Sequence, residues 1–229
     1  MAIAINLFPL AYMLFTQFGS IDMVKLFVAT RNSLILAVVS VVLSFLFALP
    51  SAYVFVSQKS YYRYLVIIFV FFISIMPPFL ISILFTNLFY FLGIKNGFLV
   101  LSFTHMLLIF PYSLALMILG FSYVPQSATY SSKLYASNFF TGFMMFYFPF
   151  MKNIFLVVAI LGITISMSQY IVTLMLGTAS FTTLMVQIIP YLKSADLQSA
   201  NSYGIVFIVN SIFAIYILYR VNNVISKNK

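Results

Sequence analysis

Residues 124–149, VPQSATYSSKLYASNFFTGFMMFYFP, are the longest polar interruption in a chain otherwise built of apolar runs. Gln126, Ser127, Thr129, Ser131, Ser132, Lys133, Ser137, Asn138 and Thr141 crowd into one short stretch. Left unpaired in hydrocarbon, each such group costs several kcal/mol, so the stretch belongs in water or against another protein. No Gly or Pro interrupts 127–141, and Tyr130, Leu134 and Ser137 or Asn138 recur at helical spacing. The pattern predicts a short helix there, carrying Tyr130, Leu134 and Tyr135 outward. A membrane chain that holds such a helix outside the bilayer offers a handle.

Composition says what surrounds the handle. Of 229 residues, 64% are hydrophobic and 6% charged, with mean hydropathy +1.16; soluble domains carry roughly 25% charged residues. The fold class expected is an all-α integral membrane protein in a single domain, 1–229. With 28 Phe, 16 Tyr and no Trp, any interfacial aromatic belt rests on Tyr. The absence of Cys excludes disulfides and thiolate metal sites. One His and two acids leave almost no material for a metal centre or a general acid–base pair, so neither a bound cofactor nor catalysis by this chain is expected. There is no Gly-x4-Gly-Lys-[Ser/Thr] phosphate loop, so any ATP that drives this protein is bound by another chain. The net charge of +9 comes from single basic residues scattered along the chain, which speaks for membrane topology rather than nucleic acid.

Six spans are expected. Residues 1–18 read as a retained helix, and 19–32 as an exposed connection with at most one amphipathic turn at 23–28. The second span, 33–56, repeats Ser40, Ser44, Ala48 and Ala52 every fourth residue, a groove for close helix packing within the chain or at a subunit interface. Tandem Pro77-Pro78 divides 64–92 into a span ending at Met76 and a second, partly buried piece over 79–91. Spans at 98–123, 150–176 and 203–219 follow, with a polar connection at 177–202 and a basic tail at 220–229. A cytoplasmic tail places Lys59, Arg63, Lys133, Lys152, Arg220, Lys227 and Lys229 inside, against Lys25, Arg31, Lys95 and Lys193 outside with both acids, Asp22 and Asp196. Seven basic residues against four put both termini and the 124–149 loop in the cytoplasm.

Polar groups within the spans are the other candidates. His105 is an intramembrane ionisable residue. It reads either as a neutral side chain bonded to backbone or Thr104, the commoner use, or as a substrate ligand. Asn87, Gln169, Tyr170 and Thr173 form, with His105, a possible polar path between helices, although interhelical hydrogen bonding is the usual role of such groups. Lys133 either pairs with an acidic partner residue or is solvated.

The loop also resembles the cytoplasmic coupling loop of type I, binding-protein-dependent ABC importer permeases. That signature runs from a Pro through Glu-Ala-Ala, three residues and a Gly to a Leu-Pro before the next span. Pro125 and Pro149 match the two prolines and their separation. Tyr130, Ser131 and Ser132 stand at Glu-Ala-Ala, Tyr135 where an Asp is common, and Ala136 at the Gly. Further stretches look like the thiamine, polyamine and ferric-iron subgroup: Asn32-Ser33-Leu34, Ala48-Leu49-Pro50-Ser51-Ala52-Tyr53, Pro77-Pro78, His105 with Phe110-Pro111-Tyr112, and Gln169 to Leu174 through Gly177 to Leu184. In order they cover about 32–221.

The resemblance implies a permease subunit in a bacterial inner membrane, forming half of a substrate path. Partners would be a second permease, two ATP-binding subunits and an extracytoplasmic substrate-binding protein. Residues Tyr130 to Ala136, with Lys133 and Leu134 among them, would dock in a cleft of the ATPase. The altered letters of the motif favour a heterodimer with a better-matched permease. An ATP-independent transporter or channel, or a non-transporting structural subunit, are the alternatives that composition leaves.

Overall fold

The structure, a computed structural model, describes residues 22–57, 61–94, 97–177 and 181–227. All regular structure among the described residues is helical. Among the described residues four helical stretches are long and apolar enough to cross a membrane, five if a sharply bent pair is counted as one span, which fits a multi-pass membrane protein. The expected span at 1–18 lies outside the described residues.

Helix α1 (Met23–Ser57) absorbs residues 23–32 of the expected connection. Asp22 caps it, its Oδ1 accepting the backbone N–H groups of Val24 at 3.1 Å and Lys25 at 3.2 Å. Asp22, Lys25 and Arg31, which suggested the connection, are exposed as expected, and the helix nonetheless runs through them because Asn32 and Ser33 are anchored inside. Asn32 donates to the Thr182 carbonyl at 3.1 Å, and Ser33 Oγ accepts the Leu184 N–H at 2.9 Å. At the other end Arg63 donates to the carbonyls of Phe55 at 2.7 Å and Val56 at 3.0 Å, closing the last turn of α1 with a cation.

Helices α2 (Tyr62–Ile75) and α3 (Pro78–Phe91) meet at 110°. Pro77 and Pro78 cause the break as expected, since neither can donate a helical hydrogen bond. The reading of 64–76 as a full span needs correction. Fourteen residues in α2 rise only ~21 Å against a hydrocarbon core of ~30 Å, so α2 alone stops short.

Helix α4 (Gly97–Ser122) is the centre of the bundle. Ser40, Ser44, Ala48 and Ala52 of α1 are all fully buried, and Ser44 Oγ donates to Ser113 Oγ of α4 at 2.8 Å. The small-residue groove is therefore occupied within the chain. Leu36 sits with Leu101, Ser44 with Ser113 and Tyr53 with Phe121, so α1 and α4 run parallel.

After α5 (Gln126–Tyr135), α6 (Phe139–Gly142) and a π-helical turn (Phe143–Tyr147), the long α7 (Phe148–Ser168) returns antiparallel to α4. Gly120 faces Met151 and Ile154, while Gly162 faces Ile109 and Val41. The expected continuous span 150–176 is broken instead at Gln169, whose φ −79° and ψ 97° are extended, and α8 (Tyr170–Leu176) follows. The polar segment expected at 177–202 contains α9 (Leu184–Lys193), which buries Leu184 and Ile188 in the core.

The last helix, α10 (Leu197–Lys227), begins at Leu197 rather than 203. Asp196 caps it by accepting the Ser199 N–H at 3.1 Å. Hydrogen bonds from Ser199, first its hydroxyl and then its backbone, hold the exposed Asp196 carboxyl below the usual carboxylate range, and the Lys25 backbone N–H does the same for Asp22. A lowered carboxylate stabilises the fold fully above the unfolded value of about 3.9 and loses that effect as pH falls through the lower folded value. Both caps thus operate throughout the neutral range.

Packing around Gly162 yields a test. A Cβ there would lie 2.7 Å from Val41 Cγ2 and 3.1 Å from Ile109 Cγ2, whereas one at Gly204 meets nothing within 4 Å. In detergent unfolding, Gly162→Ala should destabilise by about 1–3 kcal/mol through overpacking. Gly204→Ala should be neutral, or stabilise by up to about 1 kcal/mol.

Candidate functional site

Two features stand out from the packed bundle: an exposed helix at one end, and a polar cleft with its supporting network inside it.

The exposed helix is α5. Pro125 opens it with φ −61° and ψ 146°, and it buries no residue. Tyr130, Leu134 and Tyr135 are 63%, 76% and 78% exposed, and Lys133 is exposed beside them. Ser131, Ser132 and Ala136 lie half-buried against the body.

The helix expected over 127–141 ends at Tyr135. Ala136 turns extended, and Asn138 starts a new helical turn by accepting the Thr141 N–H at 2.8 Å. An Asn in the cap position explains the stop without Gly or Pro.

Close approach then holds α5 down. A Cβ on Gly142 would lie 2.6 Å from Ser132 Oγ and 2.9 Å from Ala136 Cβ. The π turn that follows presents Phe143 and Tyr147, stacked at 6.2 Å. Tyr147 meets Tyr53 of α1 at 6.2 Å and Phe121 of α4 at 5.8 Å, both edge-on. The segment that follows α5 is thereby seated on the two central helices through aromatic contacts. The spacing of Tyr130 and Leu134 marks the outward face in the sequence; the π turn and the role of Gly142 have no comparable mark.

The internal network centres on His105, which is fully buried on α4. Its Nδ1 lies 2.9 Å from Ser166 Oγ in the last turn of α7, and its Nε2 lies 3.2 Å from Thr173 Oγ1 on α8. The expected Thr104 partner is not used, because Thr104 donates back to the Val100 carbonyl at 2.8 Å. Thr173 donates its one hydroxyl hydrogen to the Gln169 carbonyl at 2.7 Å, so it accepts from His105 Nε2–H. Fully buried with no acid beside it, His105 is neutral, and Nδ1 is then the acceptor for Ser166. His105 is a neutral staple across the break at Gln169, holding both sides of it.

Of the expected path residues, the structure brings His105, Gln169 and Thr173 together, with Tyr170 next in chain and half-buried. Asn87 is exposed on α3 and takes no part in this network.

Beside the staple lies a cleft of about 210 Å³, bounded by Ser74 and Met76 at the α2–α3 break, Pro111 and Tyr112 on α4, and Ser168 and Gln169 at the α7–α8 break. Pro111 is near the middle of α4, so both broken helices reach the cleft at mid-height. Broken helices in membrane proteins are tolerated where they line a cavity. Two other cavities, of about 320 and 240 Å³, are lined almost wholly by apolar side chains. Among the described residues no group of His, Asp and Glu is placed to hold a metal.

The staple predicts a single tautomer. Nitrogen-15 NMR of the chain, whose only histidine is His105, should show a protonated Nε2 and a bare Nδ1; the reverse pattern would contradict the hydrogen-bond assignment. His105→Ala should cost about 2–4 kcal/mol, combining a cavity with lost hydrogen bonds, and Ser166→Ala about 1 kcal/mol, both read by detergent unfolding.

Scanned against models of known protein families, the chain matches none. A search among curated proteins likewise finds no significant relative.

Proposed function

We propose that the chain is the transmembrane permease subunit of an ATP-driven importer of the ABC type, one domain over 1–229 with its 124–149 loop turned to the cytoplasm. The observation that carries this reading is α5. It is a helix without a buried residue, held between two spans and rooted through Gly142 and Tyr147 in α1 and α4. A surface helix mechanically tied to the centre of a membrane bundle suits the receipt of force from a partner.

The rest of the proposal follows from what the chain lacks and where its charges fall. Without a phosphate loop it hydrolyses nothing itself, so two ATP-binding subunits supply the energy. The register of the helices puts Arg63, Lys133 and Lys152 at the end of the bundle that carries α5, and Lys25, Arg31 and Lys193, with Asp22 and Asp196, at the other. These described cations divide evenly, and it is the seven-to-four count over the whole sequence that, by the positive-inside rule, favours a cytoplasmic α5 end. The opposite end, with α9 and the start of α10, would face a substrate-binding protein outside a bacterial inner membrane. Tyr130 and Ala136 at the altered motif positions favour pairing with a second, different permease.

Uptake measurements test the coupling. Leu134→Asp, which sets a charge on the 76% exposed docking position, should abolish ATP-dependent uptake while insertion and the amount of protein in the membrane stay normal. Unchanged uptake would remove α5 from the mechanism. Substrate flux into liposomes containing this chain alone would favour an ATP-independent transporter instead. Detergent pull-down should recover a second permease with the ATPases, and a homodimer with two ATPases would reject the heterodimer.

A further inference from the structure

We propose that the cleft between the two helix breaks is a ligand site for small molecules that donate hydrogen bonds and carry no anionic group. The reasoning begins with the hydrogens of its lining. Ser74 spends its hydroxyl hydrogen on the Val70 carbonyl at 2.8 Å, and Ser168 spends its own on the Ile165 carbonyl at 2.9 Å. Each hydroxyl therefore turns only lone pairs toward a ligand.

The backbone adds to this. The carbonyls of Ile73 and Ser74 lose their helical donors because the residues four positions on are Pro77 and Pro78, and both residues line the cleft. Among the lining side chains, only Gln169 and Tyr112 have hydrogens to give. None carries a formal charge, and the neighbouring His105, fully buried with no acid beside it, is neutral.

An anion entering here would lose its water and meet oxygen dipoles pointing their negative ends at it. A hydroxyl, amide or ammonium would find several acceptors converging on about 210 Å³, room for only a few heavy atoms or for one end of a longer molecule. Backbone acceptors exposed by broken helices at mid-membrane are a recurring way of replacing a ligand's hydration. Why the protein breaks α7–α8 with no Gly or Pro at Gln169 then has an answer: the break exposes Ser168 and Gln169 to the same cleft that Pro77 and Pro78 open from the other side.

This site does not depend on how transport is powered, and its test is separate from that of α5. The chain has no cysteine, so Ser168→Cys or Ser74→Cys creates a single thiol in the full chain. Ser122→Cys, exposed at the end of α4 and likewise back-bonded, to the Leu119 carbonyl, serves as the control. In open membrane fragments the cleft thiols should prefer a cationic over an anionic methanethiosulfonate reagent by about tenfold more than the control does, a ratio well resolved by labelling rates.

Butane-1,4-diol or butane-1,4-diamine should slow labelling at the cleft, and succinate of the same chain length should not. Use of both cysteine variants guards against one that fails to insert. An unreactive pair of thiols, a preference equal to the control, or protection by succinate comparable to the other two would each overturn the site. Loss of uptake in Leu134→Asp together with any of these results would leave the permease reading standing and remove only the ligand site.

Discussion

A backbone amide or carbonyl without a partner inside a bilayer costs several kcal/mol, and this constraint shapes the centre of the molecule. The chain interrupts two helices at one level and must repair both interruptions. At Pro77-Pro78 the proline rings make the break. At Gln169 nothing in the local backbone demands one, and side chains sustain it: Thr173 takes the Gln169 carbonyl, His105 holds Thr173, and Ser166 completes the span across the gap. The two interruptions then share one cleft against Pro111.

The break could not be kept open on a loose frame. Parallel packing of α1 on α4 through fully buried Ser40, Ser44, Ala48 and Ala52, with α7 pressed in at Gly162, supplies the close-packed core that surrounds His105. The same helices carry Tyr53 and Phe121, on which the root of α5 rests. One central pair of helices thus touches both the exposed handle and the walls of the cleft. Movement of one relative to the other would be felt at both places.

Much of this was legible from residue order, and the exceptions share a cause. The long apolar helices, the Pro77-Pro78 break, the serine–alanine groove and the outward Tyr130–Leu134 face all rest on local rules of periodicity and backbone chemistry. The first ten residues of α1, 23–32, were hidden because the charges at Asp22, Lys25 and Arg31 read as a connection until Asn32 and Ser33 meet Thr182 and Leu184, 150 and 151 positions away in the chain. For the same reason α9 was hidden in a polar stretch whose Leu184 and Ile188 point inward. His105, Gln169 and Thr173 were recognisable as a group by type, but their arrangement as a staple needed tertiary contact. Asn87 belonged to the group by type alone. The acceptor character of the cleft was beyond reach, because it depends on which way Ser74 and Ser168 rotate their hydroxyls.

The central claim is that the two breaks meet in space, and a cross-linking measurement tests it most directly. With cysteines at both Ser74 and Ser168 and none elsewhere, a short bifunctional thiol reagent applied to the full chain in membranes should join the two sites within one molecule, leaving fragments linked after cleavage in the 124–149 loop. A pair at Ser74 and Asn153, which lies ~22 Å along α7 from Ser168, should stay unlinked under the same conditions. Efficient linkage of the second pair and none of the first would contradict the shared cleft and the fold built around it.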